Sequence, residues 1–226
     1  MRHRIAVPAA GFLAISLVTI GCGGGQSKSA SVDSGKCAPV AAAAAQPGRQ
    51  NLTAPTSKLP AGSVWNVEVK TNCGDFTIQV SSDSAPKAAA SFVSLAKSGF
   101  YDGLPIHRIA PGFVIQGGDP ATDGTGGPGY KTVDTPAASQ QYVRGLVAMA
   151  KAGNEPVGTA GSQFFVVTGE VLQLPADYAV LGKVISGMDV VDRISAQPIE
   201  AAAAAGRDGP PASPIVMSKL TVAQAG

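Results

Sequence analysis

The run Ile106-His107-Arg108-Ile109-Ala110-Pro111-Gly112-Phe113-Val114-Ile115-Gln116-Gly117-Gly118-Asp119-Pro120 sets one cation and one amide among bulky apolar side chains. A guanidinium donates hydrogen bonds but does not surrender its proton in a protein, so Arg108 is neither a general base nor a nucleophile. It can aim N–H bonds at a point where electron density develops, next to a greasy surface. Such an inventory suits chemistry in which no covalent bond is cut.

Rival chemistries lack their parts. Apart from His3 near the start, His107 is the lone histidine, and there is no HExxH, CxxC or clustered carboxylate motif, which argues against a metal site. Gly161-Ser162-Gln163 does not form the GxSxG elbow of a serine hydrolase, so His107 is read as a packed or hydrogen-bonded strand residue beside Arg108. The glycine-rich loop Gly124 to Gly129 has no following Lys-Ser or Lys-Thr pair to hold phosphate. It reads as a loop.

The elements that must carry these residues are mostly strands. Val64 to Lys70 and Phe76 to Val80 alternate around Asn72-Cys73-Gly74-Asp75, a hairpin turn by composition. Further strands are expected over Leu104–Ile109, Phe113–Gln116, Leu146–Ala150, Phe164–Val167, Ala179–Ile185 and Ile215–Val222. Asp83 and Ser84 can cap a helix that tolerates Pro86 early, buries Ala88, Phe92, Leu95 and Ala96, and stops at Gly99. A second helix is expected near Met188 to Ile194. Many short strands with two helices indicate a barrel or sandwich whose open ends the helices plug, not alternating βαβ units. The alanine-rich stretch from 201 to 212 reads as a loop, with no function inferred.

The N-terminal part reads differently. Met1-Arg2-His3-Arg4, an uncharged apolar stretch from Ile5 to Ile20, and then Gly21-Cys22 have the layout of an export signal over residues 1–21. Residues 22–62 are rich in Gly, Ser, Ala, Pro and Gln. This composition is expected to give a flexible linker with a mean span on the order of 35 Å. Residues 63–226 remain for one domain of about 160 residues. The whole chain has 17 basic and 15 acidic residues, net +2. Removing 1–21 takes away Arg2 and Arg4 and leaves 15 against 15, so no basic surface for nucleic acid is expected. Besides Cys22, only Cys37 and Cys73 remain. Export would permit a disulfide between them, but pairing needs a geometry that sequence does not supply, and Cys73 reads as a small apolar residue in a turn.

Five stretches in order carry a resemblance. Ile106 to Asp119, Gly124-Thr125-Gly126-Gly127, Met149 to Gly153, Gly161 to Phe165 and Leu181-Gly182-Lys183-Val184 resemble the successive signatures of the cyclophilin-type peptidyl-prolyl isomerases, over residues 64 to 224. The resemblance implies an eight-stranded antiparallel closed β-barrel capped by two α-helices, with the active site on its outer face. It further implies catalysis of cis/trans isomerisation of X-Pro bonds in proline-containing polypeptides, without metal or other cofactor. A proline-peptide binding module with little turnover is the alternative.

By the same resemblance Arg108 is the catalytic donor, and Phe113, Val114, Phe165 and Leu174 wall a pocket for the proline ring. Gln116 and Gln163 would bond the substrate backbone, while Gly124, Ala150 and Ala152 line the groove with backbone. Three positions depart from the commonest pattern. Lys151 stands where many members have asparagine, which would put positive charge on one wall. Gln173 takes the place of an aromatic residue, which implies weakened cyclosporin binding. Tyr178 replaces the histidine of the animal enzymes. The Gly21-Cys22 pair resembles a bacterial lipobox with Thr19 where an aliphatic residue is usual, implying acylation of Cys22 and a membrane-anchored, extracytoplasmic protein; plain secretion, or an uncleaved signal anchor, is the alternative if Cys22 is not acylated. With no coiled-coil repeat, a monomer is expected.

Overall fold

The computed structural model describes Met1 and residues 36–200 and 208–225; the expected signal and Cys22 lie outside these residues. Its strands are β1 (Val64–Thr71), β2 (Gly74–Ser81), β3 (Leu104–Ala110), β4 (Val114–Gly117), β5 (Thr132–Val133), β6 (Tyr142–Val143), β7 (Leu146–Met149), β8 (Thr159–Ala160), β9 (Phe164–Val167), β10 (Val171–Leu172), β11 (Val180–Ser186) and β12 (Val216–Gln224). Eight of them close an antiparallel barrel in the order β1-β12-β3-β4-β9-β7-β11-β2, with β2 returning to β1. Closure leaves no long unpaired edge, and alternation supplies the filling: Trp65, Val67 and Val69 from β1 and Phe76, Ile78 and Val80 from β2 all enter the core.

Helix α1 (Pro86–Lys97) and helix α2 (Met188–Ser195) bury apolar faces against this core. Phe92 of α1 packs edge-on against Phe164 at 5.4 Å between centroids, and Tyr101 lies 5.2 Å from Phe92. The start of α1 is held otherwise than expected. Its N-cap is Ala85, and the carboxylate that accepts from the backbone N–H groups of Lys87 and Ala88 belongs to Asp134, at 2.9 and 2.7 Å. Asp83 instead accepts from the N–H of Gly62. An orphan donor at a helix start can be satisfied by any acceptor that reaches it, so a residue distant in sequence took the place of the local cap.

One irregularity governs the site. In the β3–β4 pair Ile106 faces Gly117 and Arg108 faces Gln116, so His107 is the extra residue of a β-bulge. Ile106 and Ile109, three positions apart, therefore both enter the core, and Arg108 lies on the outer wall beside Gln116.

Residues 36–62 correct the expectation of a free linker. Cys37 is disulfide-bonded to Cys73, and Ala38 donates to the Asn72 carbonyl. A short 3₁₀ turn at Pro47–Gln50 follows, with Arg49 bonding the carbonyls of Phe100 and Asp102. Leu52 donates to the carbonyl of Pro128 in the glycine-rich loop. The strap needs little apolar surface, because backbone hydrogen bonds and one covalent staple hold it. With the cysteines 36 positions apart in sequence, the bond stabilises the fold by about 3–4 kcal/mol on a chain-entropy estimate. Cys73 is thus fully buried as a disulfide partner, not as a lone thiol in a turn. Among the described residues no helix is long and apolar enough to cross a membrane.

Candidate active site

On the outer wall, β3, β4, β7 and β9 present a second apolar cluster separate from the barrel core. It contains Ala110, Val114, Ala148, Phe165 and Val167 from these strands, with Tyr142 and Leu172 brought over them by the paired segments β6 and β10. All four residues of β9 are consequently buried, Phe164 and Val166 inward and Phe165 and Val167 outward. The outer cluster is incompletely closed. A cavity of about 100 Å³ opens among Phe113, Val114, Phe165, Leu174 and Tyr178, bordered by Arg108.

Tyr178 is held firmly. The hydroxyl of Tyr142 donates to its carbonyl and accepts from its N–H, both at 2.9 Å. Burial raises the pKa of Tyr142, so the hydroxyl keeps the proton this clamp requires. The Tyr178 ring stands edge-on to Phe165 at 5.4 Å and to Tyr142 at 5.8 Å, an arrangement aromatic quadrupoles favour.

A continuous polar chain borders the apolar opening. Arg108 donates through Nη1 to Gln116 Oε1 at 3.0 Å, and Gln116 Nε2 donates to Gln163 Oε1 at 2.9 Å. Gln163 Nε2 in turn donates to the carbonyls of Gly124 and Gly126 at 2.9 and 2.8 Å. Gly124 is held by the buried Asp119, which accepts from its N–H and from that of Ala121. A Cβ on Gly126 would fall 2.3 Å from an Asp119 oxygen, so only glycine lets the loop close on that carboxylate. The remaining side of the guanidinium meets Asp208, with Nε to Oδ1 at 2.7 Å and Nη2 to Oδ2 at 2.5 Å.

A larger cavity of about 540 Å³ adjoins the first and shares Gln116, Ala150 and Lys151 with it; Gly124, Ala152 and Gln163 line it further along. The twelve residues that the sequence singled out for chemistry and binding therefore lie around two connected openings. Lys151 differs from expectation. Its side chain is only 6 % exposed, and its ammonium bonds the Glu155 carbonyl, pairs with Asp177 at 3.8 Å and lies over the Tyr178 ring. Its charge is spent on holding the wall, not presented to the groove. Glu155 gathers the Ala152 N–H and the Lys131 ammonium, and although burial alone would raise its pKa these partners hold it below the usual value. Gln173 is exposed and lines neither opening, whereas its neighbour Leu174 does line the smaller one.

His107 is packed, not hydrogen-bonded: both ring nitrogens are buried without a partner. Burial lowers its pKa against the opposing pull of Asp119, which keeps the ring neutral. Among the described residues no group of His, Cys, Asp or Glu gathers as a metal site.

Taken together, the openings offer an apolar slot of ring size, a charged donor at its edge, and amide and backbone groups running away from it. Residues 66–222 match the family described as "Cyclophilin type peptidyl-prolyl cis-trans isomerase/CLD". The chain belongs to the cyclophilins. It is 42 % identical over 129 residues to a peptidyl-prolyl cis-trans isomerase of Helicobacter pylori, covering 56 % of this chain and 77 % of that one. It is 39 % identical over 170 residues to peptidyl-prolyl cis-trans isomerase A of Mycobacterium tuberculosis, covering 67 % and 88 %. A solved cyclophilin of Cryptosporidium parvum superposes with a TM-score of 0.64 at 29 % identity, covering 72 % of this chain and 99 % of that one. The same parasite protein in the presence of the dipeptide Ala-Pro gives 0.62 at 31 %, covering 70 % and 98 %.

As a cyclophilin, the protein is a peptidyl-prolyl cis-trans isomerase, and the barrel with two helices is the fold the sequence implied. Tyr142, Asp119 and Asp208 are parts of this cyclophilin site that sequence reasoning missed. For Tyr142 the available signal was a large aromatic just before a short turn into β7; Asp208, in a loop of alanines and prolines, gave none.

Proposed function

We propose that Arg108 catalyses rotation about X-Pro bonds in exported polypeptides, with the proline ring seated in the opening walled by Phe113, Val114, Phe165, Leu174 and Tyr178. Twisting the amide removes the resonance that gives the uncatalysed barrier of about 18–20 kcal/mol. The proline nitrogen then regains its lone pair, and a guanidinium N–H aimed at it binds the twisted form more tightly than the planar one. The single observation that carries this reading is the junction of Arg108 with a ring-sized apolar opening. Gln116 and Gln163 would orient the substrate backbone, and Gly124, Ala150, Lys151 and Ala152 would line its path.

Export is supported by the signal-like residues 1–21 and by the Cys37–Cys73 disulfide, a bond that persists in oxidising compartments. Acylation of Cys22 would then hold the enzyme on the outer face of the membrane, where slow X-Pro bonds limit the folding of newly exported chains. The exposed Gln173 offers no aromatic surface, in keeping with weak cyclosporin binding.

Two measurements test this. Exchange NMR on an Ala-Pro peptide should show catalysed interconversion by the wild type and a loss of about 10²–10³ in kcat/KM for Arg108→Ala, the scale for removing one transition-state donor. Near-normal turnover in that variant would remove Arg108 from the role. Cells fed a fatty-acid analogue should label the wild type and not Cys22→Ala; an unlabelled wild type would eliminate the anchor.

A further inference from the structure

A guanidinium carries five N–H donors in a rigid plane. In Arg108, Asp208 takes Nε–H and one Nη2–H, and Gln116 takes one Nη1–H. Three donors are committed and two remain, one on each terminal nitrogen. Both remaining protons lie in the guanidinium plane, and Arg108 lines the apolar opening. An arginine has many rotamers of similar energy, and holding one of them costs side-chain entropy that a flexible residue would otherwise lose at each encounter with substrate. A two-pronged carboxylate matches the fork and fixes both the position of the plane and its rotation.

Asp208 is itself fixed by the chain around it. Its neighbour Gly209 pairs with Ile109, N–H to carbonyl in both directions at 2.8 and 3.0 Å. Just beyond, Glu200 N–H bonds the Pro210 carbonyl and Ala212 N–H bonds the Pro198 carbonyl. The carboxylate thus stands on backbone tied directly to the residue after Arg108. This is a short and stiff connection between the acid and the donor it holds.

We propose that Asp208 is a positioning residue for the isomerase reaction: it locks the Arg108 fork so that its two uncommitted protons face the pocket before substrate arrives. This rests on the donor role of Arg108 proposed above. Asp208 touches no substrate and acts through the guanidinium alone. Its worth is therefore expected in kcat, since a misaimed donor weakens the transition state while the apolar opening goes on binding the proline ring.

The test uses the full chain and combines exchange kinetics with the NMR signal of Arg108 Nε–H. Asp208→Ala should lower kcat by about ten- to a hundredfold with KM within about twofold, leave the unfolding midpoint near that of wild type, and move the Nε–H resonance out of its bonded position with faster solvent exchange. Asp208→Asn, which keeps one acceptor oxygen, should fall between the two. In an Arg108→Ala background the same substitutions should cost less than about twofold, because the group acted upon is gone. A kcat for Asp208→Ala within about twofold of wild type, or full additivity with Arg108→Ala, overturns the proposal. A wild type without turnover would overturn the functional reading itself, and that arm is read before any variant is made.

Discussion

Strand β9 runs between two apolar layers. Inward, Phe164 and Val166 join the barrel core, where Phe92 of α1 packs on Phe164, and the barrel closes over them. Outward, Phe165 and Val167 meet Val114, Ala148, Tyr142 and Leu172, and that layer stops short, leaving the opening edged by Phe113 and Arg108. Burial does not tell the two apart, since Phe164 and Phe165 are exposed by only 1 % and 4 %. The difference lies in what finishes each layer. The inner one ends in more hydrocarbon; the outer one ends in a gap bordered by a hydrogen-bonded chain from Asp208 to Gly126. On the proposed function, a stable wall with an unfinished outer surface would let the barrel bind a ring without opening its core.

The sharpest way to break this contrast is at the inner layer. Phe164→Ala should cost about 3–5 kcal/mol in denaturant unfolding, with kcat/KM per folded molecule nearly unchanged; a larger effect on turnover than on stability would merge the two layers. Phe113→Ala should do the reverse. Its half-buried ring contributes little to the fold, but removing about 1.5–3 kcal/mol of contact with the substrate ring should lower kcat/KM about ten- to a hundredfold. Tyr142→Phe sits between them, because it keeps the ring and deletes the clamp on Tyr178. It should cost about 1–3 kcal/mol of stability together with a raised KM, and a KM equal to that of wild type would detach Tyr178 from substrate binding.

The smallest effect concerns pH. His107 has a folded pKa below its unfolded value because of burial, so on acidification the unfolded chain takes up the proton first. Stability should therefore fall as pH drops below about 6.5, a window above the one in which Glu155 loses its partners. His107→Leu should flatten that slope in chemical unfolding measured between these limits, and an unaltered slope would assign it to other groups.

Much of this was legible because it depends on local alternation. The first two strands, β9 and the interval between Pro86 and Gly99 follow from the side chains within them. The parts that were not legible depend on partners far apart in the chain. Asp134 caps α1 from a distance of 46 residues, and Asp208 meets Arg108 across 100. The strap at 36–62 has the composition of a linker and is ordered by a staple whose geometry only the folded hairpin provides. Lys151 lines both openings, but the commitment of its charge was not legible, because Asp177 and the Glu155 carbonyl are brought to it by the folded loop.

The bulge at His107 carries a consequence of a different kind. Counted by parity, that residue is surplus: without it Ile106, Arg108 and Ile109 would alternate in, out, in, as an ordinary strand requires. The barrel wall has no use for the additional link, and its geometric effect falls on the bend of β3 and the heading of Arg108. Replacing His107 and deleting it are therefore separate questions, one of packing and the other of aim.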